Sequence, residues 1–208
     1  MENSLVIIFE LAVLIFSVMV HEISHGAVAL RLGDPTAKNA GRLTLNPLRH
    51  IDPMGSILLP LLMFALGGPI FGWAKPVPVN PLNVKNPKRG LGIIGAAGPI
   101  SNLILAAAFG ILLRLLALWS GAGAFLAAGD LVRLIILINI ALAVFNLLPI
   151  PPLDGSNILF SILPPRYLNL QRILMAYGFY ILLFLILFNG LRFLIPVIEF
   201  LYKIIAGV

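Results

Sequence analysis

The chain has 208 residues, 60% of them hydrophobic and 11% charged, with a mean hydropathy of +1.06. A soluble domain carries about a quarter charged residues, so this composition excludes one and predicts an all-α polytopic membrane protein in the lipid bilayer. The net charge of +6 sits in short segments beside apolar stretches, which fits lipid head groups and not nucleic acid, and the absence of cysteine excludes disulfides and thiolate metal sites.

The first apolar stretch predicts a spanning helix over roughly Leu5–Leu32, stopped by Gly33, Asp34 and Pro35. It lacks a basic leading region and a small-residue cleavage site, so it reads as a retained span and not as a signal peptide. In residues 36–53, "GRLTLNP" alternates loosely between turn residues and predicts a short β-hairpin. Residues 55–73 are apolar but broken by Pro60 and by Gly67, Gly68 and Pro69. The Pro-rich segment 74–90 cannot be helical, and "KPVPVNP" within it reads as an extended edge strand or a rigid connector. A second span runs from about Leu91 to Trp119, a loop occupies 120–129, and a third span runs from about Asp130 to Leu148. Residues 156–165 predict a short interfacial helix. A last apolar region, about Tyr167–Ile195, crosses again, and Pro196 separates it from the C-terminal segment. The expected architecture is one integral-membrane domain over 1–208. It has about four spanning helices, a re-entrant or short fifth apolar segment at 55–73, and a small β-hairpin near the active site.

Chemistry concentrates at "HEISH" in the first span. His21 and His25 lie one turn apart on one helix face, so two imidazoles can grip one Zn²⁺, with Glu22 beside them to take a proton from water. Inside a spanning helix each of these groups costs a few kcal/mol unless it is paired or coordinated, which weighs against an accidental match. A catalytic zinc takes three protein ligands. Among eight acidic residues, six lie near termini, turns or span ends. Asp154 stands between apolar stretches after the third span. It also reads as a turn residue before Gly155 or as an N-cap, and His50 in a basic loop is the rival ligand.

"HEISH" on a first span, "GPISN" (Gly98–Asn102) opening another and "NLLPIPPLDG" (Asn146–Gly155) ending a third resemble the site-2 protease family. These are intramembrane zinc metalloproteases of peptidase family M50, and the resemblance covers nearly the whole chain. It implies one Zn²⁺ held by His21, His25 and Asp154, with Glu22 as catalytic base. Asn146 is implied as a holder of substrate or oxyanion, with Asn102 a second candidate for that role. It implies transmembrane segments of membrane-anchored proteins as substrates, in a prokaryotic cell membrane. PDZ-like or CBS-like regions of some relatives are absent from these 208 residues, which look like a compact form. The rival readings are a zinc transporter, which would need ionisable residues along a whole path, and an inactive scaffold, which has no need of Glu22.

The site also constrains topology. His21 and His25 fall late in the first span and Asp154 follows the third, so these two spans should run parallel and 55–73 should form a re-entrant or interfacial hairpin; a full crossing, for which the stretch is long enough, is the rival. Arg31, Lys38, Arg42 and Arg49, then Lys75, Lys85, Lys88 and Arg89, flank 55–73, whereas 120–129 has no Lys or Arg. By the positive-inside rule the site then lies nearer the cytoplasm.

Overall fold

Thirty residues from Glu2 to Arg31 form one helix, α1, because nothing in them breaks the i to i−4 ladder until Gly33, whose φ of 106° suits glycine. The computed structural model describes residues 2–58, 75–119 and 122–207, with Leu62 and Ala65 between the first two stretches. Beyond α1 come a single turn, α2 (Thr36–Asn39), and the long helix α3 (Pro87–Trp119). They are followed by α4 (Ala122–Asn146), α5 (Asp154–Ile162), α6 (Leu168–Leu187) and α7 (Leu194–Ala206). Among the described residues four helices are long and apolar enough to cross a membrane: Leu5–Arg31, Pro87–Leu118, Ala128–Asn146 and Pro165–Leu187. Their outer faces expose large apolar side chains such as Leu11, Ile104, Leu115 and Phe184, as lipid-facing surfaces should.

Side-chain contacts fix the directions. His21 of α1 meets Asn102 of α3 and His25 meets Ile94, so α1 and α3 are antiparallel. Ser17 meets Asn139 and His21 meets Asp154, so α1 and α4 run parallel, as the parity of the site requires. The end of α1 and the start of α3 therefore lie at one end of the bundle. The re-entrant path expected for 55–73 lies largely outside the described residues. Of that stretch the helical turn Pro53–Leu58 is described.

The core sits where α3, α4 and α7 meet, around Ala106, Leu113, Ile136, Ile140, Val144 and Leu194. Small residues set the closest approaches. Cβ atoms on Gly92 or Gly95 of α3 would collide with Ser161 or Asn157 of α5, so these glycines allow α5 to lie almost on the α3 backbone. On the other flank a Cβ on Gly178 would stand 2.6 Å from the Pro151 carbonyl, which seats α6 against the Pro151–Pro152 turn.

Three sequence expectations are corrected. The β-hairpin at 41–47 is absent: no strand occurs among the described residues, and bends lead into a 3-10 turn at Pro47–Arg49. Seven residues are too few for two strands and a turn, and Asn46 instead caps the 3-10 turn by accepting from the Leu48 N–H. The expected loop 120–129 is helical from Ala122, because its Ala, Leu and Phe residues favour helix over turn despite the glycines. The last span ends at Leu187, well before Pro196. Asn189 adopts a left-handed φ of 54° and stops the helix, whereas Pro196 sits in the first turn of α7, where its missing N–H costs nothing.

Candidate functional site

α1 presents His21 and His25 toward α3 and α5. The Nδ1 of His25 lies 2.6 Å from the Ile94 carbonyl oxygen. A carbonyl only accepts, so that nitrogen carries the ring proton and Nε2 presents a lone pair. Pro99 inside α3 has no N–H for the carbonyl of Gly95, which loosens this turn beside Ile94. His21 Nδ1 lies 2.6 Å from Asn102 Oδ1.

The two Nε2 atoms stand 3.0 Å apart, and Asp154 Oδ2 stands 3.0 Å from that of His21 and 3.2 Å from that of His25. Asp154 Oδ2 is buried and has no hydrogen-bond partner, despite these close approaches. Three electron-rich atoms converge on one point, an arrangement that repels itself unless a cation is shared. Ligands held about 2.0 to 2.1 Å from a zinc ion at tetrahedral angles stand about 3.3 Å from one another. The donor set, two imidazoles and a carboxylate, and its spacing fit that ion. His21, His25 and Asp154 are the group able to hold a metal among the described residues. Gly98 of α3 forms the floor. A Cβ there would stand 2.5 Å from His21 Nε2 and closer still to His25 Nε2.

The cluster opens on a cavity of about 680 Å³, walled by Val18, Leu142, Phe145 and Phe179 and by Pro76 and Val77. Glu22 lines it, one residue from a ligand, and its Oε2 accepts a 2.7 Å hydrogen bond from the backbone N–H of Val77. Asn146 also lines it. One N–H of its amide donates to the Leu142 carbonyl at 3.0 Å, which leaves its second N–H and its oxygen for the cavity.

Of the residues singled out from sequence, His21, Glu22, His25, Asn146 and Asp154 are brought together. Asn102 is brought beside them but behind the histidines: it is fully buried, and its amide is engaged by His21, Asn139 and the Ser17 carbonyl. His50 is held elsewhere, with Nε2 2.8 Å from the Thr44 carbonyl. Ser24 and Ser101 bond carbonyls of their own helices. Two contributors went unread in the sequence. Asn157 lines the cavity one turn past Asp154, and its i+3 spacing on a helix was the available signal. The Val77 amide is backbone, so no residue pattern marks it.

The sequence model of Peptidase family M50 matches residues 115–185. YwhC of Bacillus subtilis is 42% identical over 178 residues, covering 84% of this chain and 77% of the relative. Rip2 of Mycolicibacterium smegmatis is 35% identical over 188 residues, covering 90% of this chain and 70% of the relative. Rip2 of Mycobacterium tuberculosis is 38% identical over 156 residues, covering 72% of this chain and 55% of the relative. All three are named as zinc metalloproteases. No solved structure matches the chain.

Proposed function

The chain belongs to peptidase family M50, and from that membership we infer an intramembrane zinc metalloendopeptidase that cleaves transmembrane segments of membrane-anchored proteins. The hydrolase class and the metal follow from the family and from the names of the relatives; the residues and the substrate class are our reading. The observation that carries it is the convergence of His21 Nε2, His25 Nε2 and Asp154 Oδ2, 3.0 to 3.2 Å apart, beside Glu22 and at the wall of a cavity among spanning helices.

Zinc bound by these three residues supplies an acidified water and a Lewis acid for the scissile carbonyl. Glu22 accepts the proton of the attacking water on the carboxylate oxygen that Val77 leaves free, and returns it to the leaving amine. The second N–H of Asn146 donates to the developing oxyanion. The apolar walls at Val18, Leu142, Phe145 and Phe179 suit an apolar peptide, and their depth among spans suits a segment drawn from the bilayer. That segment must be unwound first, because helical carbonyls are already bonded and shielded. Eight basic residues between Arg31 and Arg89 flank the end of the bundle nearest the site, which favours a cytoplasmic-side site.

The test compares wild type with Glu22→Gln and Asp154→Asn in liposomes, measuring bound zinc and cleavage of a transmembrane substrate together. Glu22→Gln should keep zinc and lose cleavage, and Asp154→Asn should lose zinc. Zinc binding without cleavage of any transmembrane substrate in a broad panel would favour the transporter or scaffold. Full zinc affinity in Asp154→Asn would remove the third ligand from the scheme.

A further inference from the structure

We propose that Asn139, Ser17 and Asn102 form a buried relay that fixes the tautomer of His21, so that Asn139, which touches neither ligand nor cavity wall at the metal, is a positioning residue for it. The proposal rests on the reading of His21 as a zinc ligand.

The two ends of a side-chain amide look alike, and their orientation follows from their neighbours. The relay starts at a backbone carbonyl, which is unambiguous. The Ile135 oxygen lies 2.9 Å from the Asn139 amide and can only accept, so Asn139 presents Nδ2 to it. The same nitrogen donates to Ser17 Oγ at 3.0 Å. Asn139 must then turn Oδ1 toward Asn102, 3.0 Å away, and Asn102 must answer with Nδ2. The Ser17 carbonyl, 3.3 Å from that Nδ2, demands the same orientation independently. Asn102 is left with Oδ1 toward His21, at 2.6 Å. An amide oxygen accepts, so His21 Nδ1 carries the proton. A neutral ring has one, and Nε2 is therefore bare, as a metal ligand needs.

Burial makes this chain directional. Ser17 is 1% exposed and both asparagines are 0% exposed, so no water can satisfy a reversed amide. Flipping either one would set oxygen against oxygen with no relief, at the cost of an unsatisfied buried pair. The relay joins three of the spans around the site: Ser17 lies one turn before His21 on α1, Asn102 is on α3 and Asn139 on α4. Buried asparagines also act simply as glue between membrane helices, and the test must separate that role from the tautomer role.

Zinc affinity is measured in detergent by competition with a chromophoric chelator, with helix content recorded alongside. The proteins are wild type, His21→Ala, Asn102→Leu, Asn102→Asp, Asn139→Leu and the double variant Asn102→Asp/Asn139→Leu. Asn102→Leu and Asn139→Leu should each weaken zinc binding by roughly 10- to 100-fold at unchanged helix content. Asn102→Asp keeps an acceptor toward His21 Nδ1 but sets its second oxygen against Asn139 Oδ1 and the Ser17 carbonyl, so its zinc affinity should fall clearly between those of wild type and Asn102→Leu. In that background Asn139→Leu should cost nothing further. A glue role predicts the reverse: Asn102→Asp as weak as Asn102→Leu, with Asn139→Leu adding to it, and that result overturns the proposal. If Asn139→Leu does not fold, the Asn102→Leu and Asn102→Asp pair decides alone. Unchanged affinity in His21→Ala would instead remove the zinc-ligand reading itself.

Discussion

The backbone N–H of Val77 donates to Glu22 Oε2 over 2.7 Å, and this bond ties the proposed base to a segment 55 residues away. Between Lys75 and Pro81 three residues are proline and cannot donate. Of the four N–H donors that remain, three are placed at fixed points. Lys75 N–H goes to the His50 carbonyl at 2.9 Å, Val77 N–H to Glu22, and Asn80 N–H to Asp34 Oδ2 at 2.7 Å. Gly26, one turn beyond Glu22, leaves room for Val77: a Cβ there would stand 3.0 Å from Val77 Cγ1. The strap is thus pinned across α1 at the level of the site, and it orients one carboxylate oxygen while leaving the other free.

Removing that donor should slow the chemistry without emptying the site. Val77→Pro deletes the N–H in a non-helical segment that already carries proline on both sides. A hydrogen bond to a charged group contributes about 1.5 to 3 kcal/mol, so kcat should fall roughly 10- to 100-fold. Bound zinc should be unchanged, since no ligand is touched. Val77→Ala keeps the N–H and should lose far less. Equal losses in the two variants would mean that the valine side chain, and not its amide, matters.

Gly98→Ala should separate stability from function. Alanine is a better helix former than glycine by up to about 1 kcal/mol, so α3 alone would gain. Its Cβ would stand 2.5 Å from His21 Nε2, where a metal and its ligands must fit. The expected result is a protein with full helix content and less than about a tenth of the wild-type zinc, read by elemental analysis of the purified protein. Wild-type zinc content in this variant would place the ion away from Gly98.

Much of this site is legible in the sequence because its signals are local. The i, i+4 spacing of His21 and His25 needs no tertiary knowledge, and the scarcity of acidic residues in an apolar chain isolates Asp154. The parallel run of α1 and α4 follows once those three must meet. What escapes is what depends on backbone or on competition between weak signals. The Val77 amide is invisible because any residue but proline would supply it. Asn102 reads as an oxyanion donor by motif position, yet burial behind His21 gives its amide to the ring nitrogen instead. The hairpin at 41–47 fails because loose alternation over seven residues leaves no length for two strands and a turn. The stop at Asn189 loses to Pro196 on paper, since a left-handed asparagine is a conformational choice and a proline is a visible constraint.

The close packing of α3 on α5 should be as sensitive as the ligands themselves. A Cβ at Gly95 would lie 2.9 Å from Asn157 Cβ and 3.0 Å from the Asp154 carbonyl, both backbone-anchored positions that cannot swing away. Gly95→Leu should push α5 outward, carry Asp154 off the histidines and lower zinc affinity by at least tenfold, as loss of one of three ligands does. Gly41, with nothing near its Cβ position, is the control for a glycine replacement in general. Its φ of 64° tolerates asparagine, so Gly41→Asn should bind zinc as wild type does. Chelator competition on the two variants reads both outcomes.

Asp34 makes the strap acid-sensitive. It is fully buried just past α1, where burial raises its carboxyl but hydrogen bonds from the Thr36 side chain, Asn83, and the Asn80 and Thr36 amides outweigh that and hold it at about 2. The folded value lies below the ordinary one of 3.8, so the stabilisation is complete above about pH 4 and is lost as pH falls toward 2. The junction between α1 and the strap should therefore loosen between pH 4 and 2, seen as faster hydrogen exchange at Asn80 and Asn83 by mass spectrometry. Asp34→Asn should show the loosened exchange already at pH 7, with little further change on acidification. It should also lose part of its cleavage activity while keeping zinc, because the strap that presents Val77 to Glu22 has lost its second anchor. Unchanged exchange at Asn80 in Asp34→Asn would show that His50 and Arg42, which bond the Lys75 end, hold the strap without it.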